Sequence, residues 1–87
     1  MGDLSVINYP NPFNLKTVIS IVAPQTGYTR ITVYDITGRE IERIHDGMMA
    51  AGAYLFRWNA AGLPSGNYFI HVVNGNSSKT VRTLLLK

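Results

Sequence analysis

Gly66-Asn67-Tyr68-Phe69-Ile70-His71-Val72-Val73-Asn74-Gly75 decides how the rest of the chain is read. Side chains alternate along a strand, so Tyr68, Ile70 and Val72 share one face while Phe69 and His71 point the other way. Period two in a run rich in aromatic and β-branched residues predicts a strand over Asn67 to Val73. Asn74-Gly75 is a hairpin signal, because these residues tolerate the positive φ that tight hairpin turns require. Lys79 to Leu86 is then the returning strand.

Toward the N-terminus the same alternation recurs every ten to fifteen residues, about as often as in all-β chains. Thr17 to Ala23 reads as a strand with Ile19, Ile21 and Ala23 inward, and Arg30 to Asp35 as one with Ile31 and Val33 inward. Arg39 to His45 carries Ile41, and Ala53 to Trp58 aligns Tyr54, Phe56 and Trp58. Leu4 to Asn8 adds a short edge strand. Pro24-Gln25-Thr26-Gly27 is a turn, and Asp35-Ile36-Thr37-Gly38 suits a type I turn, with Asp first and Gly fourth. Gly47 to Gly52 holds the one helix-prone stretch, Met48-Met49-Ala50-Ala51, which is too short to make a helix. Asn59 to Gly66 is turn-rich and carries the chain between sheets, with Tyr68 just beyond it. Immunoglobulin-like sandwiches place a tyrosine at such a corner, its hydroxyl bonded to nearby backbone. About seven strands without helices predict an all-β, immunoglobulin-like two-sheet β-sandwich with Tyr54, Phe56, Trp58 and Tyr68 in its core.

Before the first long strand stands Tyr9-Pro10-Asn11-Pro12-Phe13-Asn14. Two prolines fix φ and remove two backbone donors, and the residues before them are pushed toward extended geometry. This segment is neither helix nor central strand. It reads as a stiff latch along a sandwich edge, with Tyr9 and Phe13 as its anchors and Phe13 buried. The domain proper then spans 9–87, with 1–8 a start and linker or short edge strand. Met1-Gly2 reads as an expression start ahead of a fragment of something larger.

Eighty-seven residues make one domain. A chain of this size buries roughly 60% of its unfolded surface, and without cysteine it has neither disulfide nor thiolate metal site. The net charge of +3 is spread over Lys16, Arg30, Arg39, Arg43, Arg57, Lys79, Arg82 and Lys87. A nucleic-acid binder would concentrate such charge in a stripe. No run has transmembrane length and no signal-peptide pattern is present.

Taken in order, Tyr9–Asn14, Val33-Tyr34-Asp35-Ile36-Thr37-Gly38-Arg39-Glu40, Ala51-Gly52, Trp58-Asn59-Ala60, Gly62-Leu63-Pro64-Ser65-Gly66-Asn67-Tyr68-Phe69 and Leu84-Leu85-Leu86-Lys87 form a recognisable series. The series resembles the C-terminal sorting domains of proteins exported by the type IX secretion system of Bacteroidetes-like bacteria. It is also similar to the immunoglobulin-like domain of the flagellar hook-capping protein. The resemblance runs from about Asn8 to Lys87, and departs from the family at Leu15-Lys16, where a third proline followed by Ser or Thr is frequent. It implies a non-catalytic C-terminal module of a larger secreted bacterial protein, recognised by outer-membrane export machinery and often cleaved or linked to the cell surface afterwards. It implies no cofactor. The partners would be that machinery and the upstream domains, and the location secreted or cell-surface, by way of the periplasm and outer membrane. The terminal placement of Lys87 after the leucine run fits this expectation. Two other readings stand beside it: a passive immunoglobulin-like spacer or assembly module, and an accessory carbohydrate-binding module.

The docking residues expected for export are Lys79, Arg82, Leu84, Leu85, Leu86 and Lys87, on the last hairpin and terminal strand. In a strand, one or two of the three leucines face outward. They are either covered by the latch or offered to a partner that adds a strand at the edge. An uncovered terminal strand would also allow a weak edge-to-edge dimer. Other constellations carry less. His45 and His71 fall short of the three or four ligands that zinc needs. Ser65, His71 and Asp46 make a triad only on paper, with no nucleophile elbow around the serine. Tyr9, Tyr28, Tyr34 and Phe69 would form a sugar-stacking platform only if exposed together.

Overall fold

The computed structural model describes residues 3–87, so the reading of Met1-Gly2 lies outside the described residues. Seven strands follow in order: β1 (Ser5–Tyr9), β2 (Lys16–Ala23), β3 (Gly27–Asp35), β4 (Glu40–Met49), β5 (Gly52–Asn59), β6 (Gly66–Asn74) and β7 (Ser77–Leu85). They form two antiparallel sheets, one ordered β1-β2-β5 and the other β4-β3-β6-β7. This is the expected all-β sandwich.

The inward faces are those the alternation predicted. Ile19 and Ile21 from β2 meet Ile31 and Val33 from β3, Ile70 and Val72 from β6 and Leu85 from β7, all without exposed surface. Trp58 is buried, whereas Tyr54 and Phe56, on the same face of β5, are only half-covered. Because β5 is an edge strand, a side chain there lacks one flank of neighbours. Trp58 also ties the sheets together, its Nε1 donating to Glu42 Oε1 on β4 at 3.3 Å.

Two element boundaries differ from those expected, the first being the end of the strand read as Arg39 to His45. The helix-prone stretch after Gly47 is strand as far as Met49, since Met48 and Met49 pair with Tyr28 and Gly27. Cross-strand pairing outweighs a helical preference too short to nucleate on its own. The last hairpin turns one residue later than Asn74-Gly75 suggested. Asn74 pairs with Ser77 and closes β6, leaving Gly75 and Asn76 as the loop. Gly75 has φ +57°. Asn74 is instead fully buried, and its Nδ2 donates to the Gln25 carbonyl at 3.1 Å and to Thr29 Oγ1 at 3.0 Å.

The register sets the two ends of the sandwich. At one end lie the start of β2 with the end of β5 (Lys16 opposite Asn59), the end of β3 with the start of β6 (Asp35 opposite Tyr68), and the end of β7 (Leu85 opposite Gly66). At the other lie the β6–β7 hairpin, the β2–β3 and β4–β5 turns and the start of β1, where Ser5 faces Val22. The chain therefore starts β1 at the hairpin end and finishes β7 at the opposite end, here called the corner end.

Candidate docking surface

The corner end is built by the segments whose order was distinctive in the sequence. Phe13 from the latch is buried, with its ring centroid 5.5 Å from that of Trp58. Trp58 in turn meets Tyr68 edge-on at 5.7 Å. The Tyr68 hydroxyl donates to the Pro64 carbonyl, four residues upstream, at 2.7 Å, which is the expected tyrosine corner. Burial pushes its phenol up from the ordinary value. Next to this, the Asp35–Gly38 turn closes with the Gly38 amide donating to the Asp35 carbonyl at 3.0 Å, and Gly38 takes φ +87°. The Asp35 carboxylate accepts from the Thr37 hydroxyl and amide and from the Arg39 amide, which holds it below the usual carboxylate range.

The latch lies along the edge of β7. The Phe13 amide donates to the Leu84 carbonyl at 3.0 Å, and the Leu86 amide donates to the Phe13 carbonyl at 2.8 Å. Asn11 extends this pairing with its side chain. Its Nδ2 donates to the Arg82 carbonyl and its Oδ1 accepts the Leu84 amide, both at 3.0 Å. A side-chain amide thus substitutes for backbone where the flanking prolines offer no N–H. The two X–Pro bonds, Tyr9–Pro10 and Asn11–Pro12, are cis. Of the two anchors expected in the latch, only Phe13 serves. Tyr9 ends β1 and is half-exposed, on the face away from the core.

These contacts separate the six expected docking residues. Leu85 is fully buried and bridges to Phe13, so it fixes the tail rather than offering surface. Arg82 and Leu84 alternate outward, opposite Phe69 and Asn67. Leu86 is 50% exposed beyond the strand, and the exposed Lys87 donates its amide to Ser65 Oγ at 3.0 Å. Lys79 lies further up β7 on the opposite face from Arg82, exposed near the hairpin end. Arg82, Leu84, Leu86 and Lys87 are therefore brought to the corner end, and Lys79 is not. Beside them opens a cleft of about 300 Å³ whose lining includes Ile36, Ile41, Leu63 and Asn67. Ile36, at 72% exposed, and Leu63 supply apolar lining to this cleft, and the turn reading alone did not mark them.

The remaining constellations are dispersed. Ser65 sits at the corner end, His71 in the middle of β6 against Thr80, and Asp46 on β4. Asp46 accepts from the Tyr28 hydroxyl and from Arg43, which keeps its carboxyl below the ordinary range. His45 is not at a strand end but within β4, half-buried against Phe56. Tyr34 and Phe69 pair across β3 and β6, but Tyr28 stands at the far end of β3 and Tyr9 on the other sheet. Among the described residues no three His, Cys, Asp or Glu side chains gather in a way that could hold a metal ion. Among the described residues no helix is long and apolar enough to cross a membrane.

Comparison with curated proteins gives no match. The family model described as the secretion system C-terminal sorting domain matches residues 8–87. That span opens one residue before the latch and closes at Lys87, taking in every segment packed at the corner end. The chain belongs to the secretion system C-terminal sorting domain family, whose members are C-terminal sorting signals for type IX secretion.

Proposed function

We propose that the corner end is the surface the outer-membrane export machinery reads, with Arg82, Leu84, Leu86 and Lys87 as contacts and Ile36 and Leu63 as their apolar neighbours. One observation carries this reading. The tail after Thr83 is held on one edge by Asn11 and Phe13 and on the other by β6, yet it leaves Leu86 half-exposed and Lys87 exposed. An apolar and cationic end presented on a rigid frame is recognised without first being ordered, which lowers the entropic cost of docking. Latch bonds occupy the β7 edge from Arg82 to Leu86, so the partner meets side chains there rather than adding a strand. Lys79 contributes to a second part of the contact, along the upper half of β7. Upstream domains would join at the hairpin end, away from the docking surface. Export would then deliver the parent protein outside the cell or to its surface, with no chemistry contributed by this module.

Removing Leu84 to Lys87 would also remove Leu85 from the core, so point changes make the cleaner test. The full chain is fused behind a reporter in a host with type IX export. Leu86→Asp with Lys87→Glu should abolish export while leaving the melting temperature unchanged. Export at wild-type level from the folded double variant would sink the proposal.

A further inference from the structure

The two outer faces of the sandwich differ sharply. On the four-stranded sheet the outward apolar residues, among them Tyr34, Met48, Phe69 and Leu84, are interspersed with charge of both signs: Arg43 pairs with both Glu40 and Asp46, Arg30 lies opposite Asp46, and Arg82 lies opposite Phe69. On the three-stranded sheet the rows are Ser5–Val22–Ala53, Ile7–Ser20–Leu55 and Tyr9–Val18–Arg57. Ile7, Val22, Leu55 and Tyr9 are 56%, 44%, 67% and 49% exposed. Apolar side chains adjacent on three strands make a continuous patch, which on a solvated domain marks a contact surface.

The charge on this face is one-sided. β1, β2 and β5 contain no carboxylate, and their only cations are Lys16 and Arg57. Val18 pairs with Arg57 and Lys16 with Asn59, so the two cations are diagonal neighbours on one face, within reach of each other's long side chains. They flank a shallow groove floored by Pro10 and Val18. Among the described residues neither forms an ion pair. Four of the five acids, Asp35, Glu40, Glu42 and Asp46, lie on the β3–β4 hairpin of the other sheet.

We infer that the outer face of β1-β2-β5 is a second interaction surface, for a protein partner that presents an apolar strip with carboxylates at one end, set against Lys16 and Arg57. A second copy of this chain fits poorly. It brings the same cations and, near this face, a single acid, Asp3, which lies before β1 at the opposite end. A lipid surface fits poorly too, because the cations stand at one end of the patch rather than around it.

The test uses the full chain on its reporter, in the exporting host, with the photo-crosslinker p-benzoylphenylalanine replacing Leu55. Met48, 71% exposed on the other sheet, is the control position. The expected result is an adduct from position 55, absent from position 48, to another protein at a peptide where Asp or Glu adjoins apolar residues. Lys16→Glu with Arg57→Glu should lower its yield about tenfold, equivalent to about 1.4 kcal/mol. Both cations are exposed, so the melting temperature should not move. No adduct, a chain-to-chain adduct, equal yield at position 48, or yield indifferent to charge reversal would each overturn the inference. Sedimentation with anionic phosphatidylglycerol vesicles that is lost in Leu55→Asp would overturn it in favour of a membrane. Because Arg82, Leu84, Leu86 and Lys87 are untouched, loss of docking through them leaves this result independent.

Discussion

The Phe13 ring lies 5.5 Å from that of Trp58, tilted by 53°, and joins a segment with no core of its own to the centre of the sandwich. Phe13 is 3% exposed, and its backbone holds β7 on both sides of Leu85. Truncating a buried phenylalanine costs about 3–5 kcal/mol through lost transfer energy and the cavity left behind. Phe13→Ala should lose that much in urea unfolding. Leu15→Ala, two residues on and 42% exposed, should stay within about 0.5 kcal/mol. Equal effects would mean that the latch is not part of the core.

The inward faces were legible because period two leaves one reading: Ile19 and Ile21, Ile31 and Val33, and Ile70 and Val72 are buried as expected. What the sequence hid depends on partners distant along the chain. Met48 and Met49 are strand because Tyr28 and Gly27 lie opposite, which local propensity does not encode. Asn11 acts as a piece of backbone toward Arg82 and Leu84, more than seventy residues away in the chain. The apolar outer face did leave a signal, the Val18-Ile19-Ser20-Ile21-Val22 run, with apolar residues in both alternating sets. The separation of Leu85 from Leu84 and Leu86 follows from strand parity, but its sign required knowing that Phe13 lies beside Leu85.

Tyr68 contributes through one hydroxyl. Tyr68→Phe removes its bond to the Pro64 carbonyl while keeping the ring against Trp58. The expected loss is about 0.5–1.5 kcal/mol, the net worth of one hydrogen bond. The folded phenol titrates above its ordinary value, so its contribution is complete below that value and is lost as pH rises through the folded one. Alkaline unfolding should therefore be steeper in wild type than in Tyr68→Phe.

Acid should act through Asp35 and Asp46. Both carboxyls are held below their ordinary value, Asp35 chiefly by the Thr37 hydroxyl and Asp46 chiefly by the Tyr28 hydroxyl. The folded state therefore binds fewer protons than the unfolded one between the folded and unfolded values. Stability is full above the ordinary carboxylate value of about 4 and falls as pH drops toward the depressed values. Asp35→Ala removes the acceptor for both Thr37 groups and the Arg39 amide. It should lower stability at pH 7 and flatten the decline below about pH 4. An unchanged acid limb in thermal melts followed from pH 7 down to pH 2 would rule out this role for the turn.

Asn74 should be the most sensitive polar position at the hairpin end. It is fully buried, its Nδ2 donates to the Gln25 carbonyl and to Thr29 Oγ1, and its carbonyl accepts from Gln25 Nε2 at 3.0 Å. The Gly75 amide adds a bond to the Tyr28 carbonyl at 3.0 Å, so four hydrogen bonds hold the end of β6 to the β2–β3 turn and the start of β3. Asn74→Ala leaves two acceptors without their donor, which costs about 1–3 kcal/mol where burial denies them water. Asn74→Asp should be worse than Ala, since it places a carboxylate against the same two acceptors with no compensating cation. Gly75→Ala tests the same junction from its other side. A Cβ there would lie 2.3 Å from Gln25 Nε2 at a φ of +57°, so Gln25 must give up its bond to Asn74 to make room. Hydrogen exchange would separate these outcomes from a diffuse loss of stability. Protection of the Gly75 amide should collapse in all three variants, whereas that of Leu86 and Phe13 at the corner end should fall only with global stability.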